Sequence, residues 1–425
     1  MLFPEIRIIC KIRRSWTKLP FAGVFFTFIL SVAAQQPVKD LRPTVILISL
    51  DGFRYDYMDR FAPPAISRLA REGVRAKWLI PSFPTKTFPN HYTIATGLYP
   101  AHHGIVENNV YDFGEVLTMS KRDEVQNSRW WLGEPIWVTA EKQGQHASSF
   151  FWPGSEAKIM DTYASDWVTY NGKVPNDMRV DKVLAYLDQP VDKRPTFMTL
   201  YFSTTDDVGH EFGPDSEEVK YSVWEVDKYI ERLMKGLKQR KIDQKVNVIV
   251  VSDHGMANFY PKQVTYLDDI FSFDDTERIL WTNEIQQIFP KPGKLDEIFA
   301  KIKDLKHTTC WKKADIPERL HYADGNRVAP IVCSSEIGWI TTNHKRWDDW
   351  YKDLDDVNRP RGAHGYDNRY QEMQATFIAH GSGFKKGFLA EPFANVEVYN
   401  IMCKILGLKP AKNDGDLDRV KKMLK

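Results

Sequence analysis

Cysteine is scarce in this chain, with four in 425 residues: Cys10, Cys310, Cys333 and Cys403. No two stand in a Cys-x-x-Cys spacing, which excludes a thiolate zinc site of that kind. Asn-x-Ser/Thr is absent, so the sequence specifies no N-linked glycan. No apolar run reaches the ~20 residues that span a bilayer. Long basic blocks are missing too. The 58 Lys and Arg nearly balance 56 Asp and Glu, for a formal charge of +2. Bulk nucleic acid is thereby excluded as an electrostatic partner. A small anionic substrate stays open, because a bound metal ion brings its own positive charge. Internal repeats and low-complexity tracts are also lacking. What remains is 43% apolar and 27% charged. That mixture belongs to a folded chain with a sizeable core, long enough for one large α/β domain or two ordinary ones.

The first residues read as a targeting segment. Arg7, Lys11, Arg13, Arg14 and Lys18 form a basic lead, residues 19–30 are mainly apolar, and Ser31–Val32–Ala33–Ala34 offers small residues for cleavage. The expectation is a signal peptide over 1–34 and an exported chain from Gln35, periplasmic or extracellular, with no stable membrane span. An uncleaved anchor is the alternative. An oxidising compartment would permit a Cys310–Cys333 bridge. Cys403 falls in an apolar helical pattern and reads as a buried thiol.

Three apolar runs end in chemistry. Val45–Ile46–Leu47–Ile48–Ser49–Leu50 leads into Asp51–Gly52. Phe197–Met198–Thr199–Leu200–Tyr201–Phe202 precedes Asp206–Asp207–Val208–Gly209–His210. Residues 246–251 precede Asp253–His254–Gly255. Buried strands that end in acid and acid-plus-histidine groups are how an α/β sheet presents a metal centre, here a two-metal hydrolase. Residues 64–72 form a helix stopped by Gly73, and 74–79 a short strand. Helix is also expected from about Thr93, over 180–187, 291–303 and 396–406. Residues 99–111 and the 206–210 segment read as loops. Val219, Val223, Val226, Ile230, Leu233 and Leu237 recur every three or four positions, which makes 217–237 a long amphipathic helix. Gly236 is expected to mark its end. Residues 256–358 break the pattern and read as an insertion that caps the site. Because His364 lies beyond them, 35–425 forms one catalytic domain rather than two in series.

The ligand types set the metal. Carboxylate with neutral imidazole suits zinc or a similar ion better than calcium or magnesium. His364 sits between Gly362 and Gly365, which let the backbone approach something closely. In Pro84–Thr85–Lys86–Thr87–Phe88–Pro89–Asn90–His91–Tyr92 two prolines restrain the chain around two hydroxyls. Thr87 is either a helix N-cap or a metal-activated nucleophile, with Thr85 as its rival. Asn108 is either a turn residue or a donor to a developing oxyanion.

These segments resemble the ectonucleotide pyrophosphatase/phosphodiesterase family of the alkaline phosphatase superfamily. The resemblance rests on Asp51–Gly52–Phe53–Arg54, Lys86 to Tyr92, Thr96–Gly97–Leu98–Tyr99–Pro100, His103–Gly104–Ile105, Asn108, Asp206 to His210, Asp253–His254–Gly255–Met256 and Gly362–Ala363–His364–Gly365. It implies a mostly parallel sheet with helices on both faces. It implies two zinc ions, one held by Asp51, Thr87, Asp253 and His254, the other by Asp206, His210 and His364. Thr87 would be the nucleophile and Asn108 a phosphoryl-oxygen donor. Phe88, Trp152, Tyr170 and Tyr201 would line a nucleotide pocket, though each aromatic is also a candidate for plain core packing. Cysteine-dense modules before the core and a nuclease-like domain after it are missing, so the chain looks most like the bacterial single-domain members. The implied activity is release of nucleoside 5′-monophosphates from nucleotide diesters or pyrophosphates through a phosphothreonine. A choline-phosphate or lysophospholipid diesterase, a phosphomonoesterase, or a non-catalytic exported binding protein are the alternatives.

Overall fold

The computed structural model describes residues 36–425 except 113, 353 and 355. The leader expected over 1–34, with Cys10, lies outside the described residues.

Val45–Leu50 is buried along its whole length, and its side chains divide by parity. Val45 and Leu47 enter one apolar cluster, while Ile46, Ile48 and Leu50 enter another. Period-two alternation sends successive side chains to opposite faces, so both faces of this strand must be covered. Helices do so. Pro64–Glu72, Asn176–Leu187 and Glu217–Gln239 pack on the Ile46 face. Thr87–Thr96, Ile136–Lys142 and Glu397–Leu406 pack on the Val45 face.

The sheet has eight strands. In spatial order they are Phe388–Ala390, Val74–Ala76, Phe377–His380, Asn247–Val251, Val45–Leu50, Phe197–Phe202, Ala147–Phe150 and Asp166–Trp167. Every neighbouring pair is parallel except those made by Phe377–His380. Ile48 stands in register with Leu200 on one side and Val250 on the other. The three strands followed by acid are therefore adjacent and point the same way. Their C-terminal ends open on one crevice, where an α/β sheet binds its ligands.

Residues 256–358 build a second sheet. Thr276–Trp281, Ile285–Pro290, Ile331–Ser335 and Thr308–Lys312 pair antiparallel in that order. The Leu295–Ile302 helix closes its core through Ile298 and Ile302. Cys310 and Cys333 face each other across two of these strands and are disulfide-bonded. Cys403 is a free, buried thiol that burial pushes up to about 12.

Several local expectations need correction. The 206–210 segment is no loop but part of the Thr204–Phe212 helix. The 99–111 stretch contains the one-turn Pro100–His103 helix and enters a hairpin at Asn109–Asp112. Residues 74–79 split into Val74–Ala76 and Leu79–Ile80. Gly236 does not end the long helix, which runs to Gln239. A Cβ at Gly236 would run into Leu184, so the glycine lets two helices approach.

Candidate functional site

Asp51 stands at the end of the central strand. Gly52 after it takes φ +64°, and a Cβ there would lie 3.0 Å from the Asp206 backbone. Glycine thus lets the segments carrying two carboxylates come together. Asp253 is fixed by the Gly52 amide, which donates to its Oδ1 at 3.2 Å. The Tyr201 hydroxyl donates to Asp51 Oδ2 at 2.6 Å. The remaining oxygens, Asp51 Oδ1, Asp253 Oδ2 and Asp206 Oδ1, are buried with no hydrogen-bond donor among the described residues. Leaving such acceptors unmatched costs about 1–3 kcal/mol each, more when charged. Three of them beside one another fit a cation.

The histidines complete the pattern. The Nδ1 of His254 meets the Gly255 carbonyl, that of His210 meets Gly362, and that of His364 meets Thr85, each at 2.9 Å. Each Nδ1 therefore carries a proton, which leaves Nε2 as the atom of each neutral imidazole that can bind a metal. Second-shell carbonyls orient metal-binding imidazoles in this way. The three Nε2 atoms converge on the orphaned oxygens. His254 Nε2 is 3.0 Å from Asp253 Oδ2 and 3.4 Å from Asp51 Oδ1. His210 Nε2 is 3.4 Å and His364 Nε2 3.7 Å from Asp206 Oδ1, and the two nitrogens lie 3.1 Å apart. Among the described residues two groups of three satisfy the geometry of a metal site: Asp51, Asp253 and His254, and Asp206, His254 and His364. His254 belongs to both, where the resemblance assigned it to one.

Electrostatics follow from this crowding. Burial, then the charges of Asp253 and Asp206, push Asp51 well above the usual carboxylate range. Against the burial that would raise it, His254 and His91 hold Asp253 well below that range. Burial and the neighbouring His254 lower His364. A divalent cation at these donors relieves the mutual repulsion of three carboxylates.

Thr87 opens the Thr87–Thr96 helix as its first residue, and Lys86 occupies the cap position without a side-chain capping bond. The N-cap reading of Thr87 is therefore set aside. Its Oγ1 lies 3.3 Å from His254 Nε2. Thr85, the rival, is fully buried; its Oγ1 donates to the Tyr366 carbonyl at 3.0 Å and accepts the Gly365 amide at 2.9 Å. Asn90 braces the turn before Thr87, donating to the carbonyls of Ser82, Pro84 and Lys86 and accepting the Ser82 amide. The Phe88 amide donates to Asn108 Oδ1 at 2.9 Å, which turns the Asn108 amide nitrogen into the group left to donate.

This arrangement of strand-end acids, imidazoles and a hydroxyl has relatives. Residues 45–367 match the family model for type I phosphodiesterase / nucleotide pyrophosphatase. The chain belongs to that family. Venom phosphodiesterase 2 of Crotalus adamanteus is 37% identical over 434 residues, which cover 99% of this chain and 51% of the snake protein. Ectonucleotide pyrophosphatase/phosphodiesterase family member 3 of Bos taurus is 38% identical over 396 residues, covering 90% of this chain and 44% of the bovine protein. The chain thus spans about half the length of the curated relatives it matches. The solved structure of murine ectonucleotide pyrophosphatase / phosphodiesterase 5 superposes with a TM-score of 0.83 at 32% identity, over 90% of this chain and 100% of that one. An inactive variant of the same murine protein, in complex with AMP, gives 0.82. Through this likeness the fold is that of the alkaline phosphatase superfamily.

Within this phosphodiesterase-family fold a pocket of about 250 Å³ adjoins the cluster of candidate metal ligands. Asp51, Thr87 and Asp206 line it together with Phe88, Trp152, Tyr170 and Tyr201. Two of these aromatics have committed polar ends. The Trp152 indole donates to the His91 carbonyl at 2.9 Å, and the Tyr201 hydroxyl is spent on Asp51. They offer ring faces only. Sequence reasoning missed Arg122 and Glu156, which pair with each other at the pocket wall. It also missed His91, whose Nδ1 meets the Thr87 carbonyl at 2.8 Å and lies 3.3 Å from Asp253 Oδ2. His91 stood in the quoted motif, but nothing local distinguished it from a core histidine.

Proposed function

We propose that the chain is an exported two-zinc nucleotide pyrophosphatase/phosphodiesterase that releases nucleoside 5′-monophosphates through a phosphothreonine at Thr87. The observation that carries this reading is the convergence of three Nε2 lone pairs and three orphaned carboxylate oxygens beside a hydroxyl at a pocket of aromatic rings. Asp51, Thr87, Asp253 and His254 would hold one ion, and Asp206, His210 and His364 the other. Bound there, the pair would supply positive charge that acidifies the Thr87 hydroxyl and offsets charge developing at phosphorus.

The chain's own residues set the rest. Phe88 and Tyr170 flank the base-sized pocket and orient the substrate so that phosphorus faces Thr87 Oγ1. That oxygen attacks in line, the bond from phosphorus to the leaving oxygen breaks, and the nucleoside phosphate stays on Thr87. Water then attacks the same phosphorus from the opposite side and frees the hydroxyl. Asn108 donates its amide N–H to a non-bridging oxygen in both steps. Remote contacts in the pocket position phosphorus for attack.

A phosphomonoesterase is disfavoured by Lys86. A terminal dianion calls for a free cation near the nucleophile. Lys86 instead pairs with Glu284 at 2.5 Å and donates to the Thr282 carbonyl at 3.2 Å, with its side chain 7% exposed. No helix among the described residues is long and apolar enough to cross a membrane. The testing experiment is a substrate panel on the purified chain: p-nitrophenyl thymidine monophosphate, ATP, a dinucleoside polyphosphate, p-nitrophenyl phosphate and p-nitrophenyl phosphorylcholine. The reading requires turnover of the first three above the last two. Preference for the choline ester or the monoester overturns it.

A further inference from the structure

Glu107 immediately precedes Asn108 and is 1% exposed. One of its carboxylate oxygens accepts the Asn108 amide and, at 3.3 Å, the Asn109 amide. The other accepts the Thr282 hydroxyl at 2.9 Å. Thr282 follows the Thr276–Trp281 strand of the 256–358 region, far from Asn108 in sequence. The same turn reaches the other flank of the site, because the Thr282 carbonyl and the Glu284 carboxylate both receive Lys86, the residue before Thr87. One turn of the second sheet is therefore tied to the chain just before the hydroxyl and just before the amide donor.

We infer that Glu107 is a positioning residue for the reaction, holding the Asn108 backbone in place with the Thr282–Glu284 turn as its brace. This rests on the function proposed above. Asn108 Oδ1 is already fixed on the Phe88 amide, so the direction of its N–H bonds depends on where its own backbone sits. An oxyanion donor acts within about 2.7–3.1 Å of the oxygen. A displacement of about 1 Å costs on the order of 10²-fold in rate. Glu107 links that backbone to the turn after the Thr276–Trp281 strand, with two amides on one oxygen and the Thr282 hydroxyl on the other. The 256–358 region then has a role in catalysis that involves no contact with substrate.

The test uses Glu107→Ala, Glu107→Gln, Thr282→Val and Asn108→Ala, with the double variant Glu107→Ala/Asn108→Ala. For each, kcat and KM on p-nitrophenyl thymidine monophosphate are measured beside metal content and thermal unfolding. Glu107→Ala is expected to lower kcat about tenfold or more with KM and metal content near wild type. Glu107→Gln should recover most of the loss. Its carbonyl can accept both backbone amides while its NH₂ donates to Thr282, whose hydroxyl already lies 3.1 Å from the Ile285 carbonyl. Thr282→Val should fall between the two, and carries the test if Glu107→Ala does not fold. The double variant should be no slower than Asn108→Ala alone, because both changes remove the same interaction. Additive losses, or wild-type kcat in both Glu107→Ala and Thr282→Val, overturn the inference while leaving the proposed function standing. No turnover of this diester by the wild-type chain overturns both.

Discussion

Thr85 and Thr87 carry the same hydroxyl two positions apart, and only their surroundings separate them. Thr85 is committed to the backbone of Gly365 and Tyr366, while Thr87 lies against His254 and the pocket. Thr87→Ala should therefore retain its metals and lose nearly all diester turnover, and Thr87→Ser should keep part of it, since the hydroxyl survives. Thr85→Ala should instead cost roughly 1–3 kcal/mol of stability through a buried amide left unmatched. Metal analysis, kcat and unfolding free energy on the three variants check these outcomes; an active Thr87→Ala removes Thr87 from the mechanism. Asn108→Ala should fold normally and lose about 10²–10³ in kcat, the scale of one oxyanion donor. At this scale the candidate ligands were legible because each follows a buried strand or sits in a glycine-flanked turn. Asn90, His91, Glu107, Arg122 and Glu156 were not, because each acts through a partner distant in sequence that leaves no local pattern.

The elements were legible where periodicity was strong, as in Glu217–Gln239, and misread where composition pointed the wrong way. Asp206 to His210 looks like a loop because glycine and aspartate are poor helix formers, glycine by about 1 kcal/mol relative to alanine. The tertiary fold overrides this. A Cβ at Gly209 would lie 3.1 Å from the Met256 side chain, and one at Gly362 would strike the Gly209 carbonyl, so the helix and the returning chain need both glycines to close on each other. The helix places Asp206 and His210 four residues apart on one face. A second case concerns Asp227, a buried acid in the middle of the long helix. Its carboxylate accepts the amides of Ala65 and Ile66 at 3.1 and 2.8 Å, capping the Pro64–Glu72 helix, whose own cap residue Pro63 has no side chain able to do so. Asp227→Ala should destabilise the fold by about 1 kcal/mol, up to ~2, with turnover unchanged. Denaturant unfolding beside kcat measures this; an unchanged midpoint would show that the two amides find other partners.

At the scale of the whole molecule, acid stability is expected to depend on His103, which burial keeps neutral. His103 is fully buried, accepts the Ile105 amide at Nδ1 at 3.2 Å, and faces Thr93 Oγ1 with Nε2 at 3.0 Å. Burial lowers it from 6.5 to about 3. Below pH ~6.5 the unfolded chain takes up a proton that the folded chain refuses, so stability falls as pH falls, by about 1.4 kcal/mol per pH unit for this one group. The loss continues until the folded state also protonates near 3. His103→Asn should flatten the stability–pH slope between about pH 6 and 4 by one proton; an unchanged slope assigns acid sensitivity elsewhere.

Seven side chains from separate segments are proposed to hold two ions on which turnover would depend. Elemental analysis of the purified chain, paired with p-nitrophenyl thymidine monophosphate turnover before and after chelation, tests this most directly. About two equivalents of zinc per chain, with activity lost on removal and restored by zinc, is the result expected of a two-metal site. One equivalent or none, with full activity retained, would contradict it.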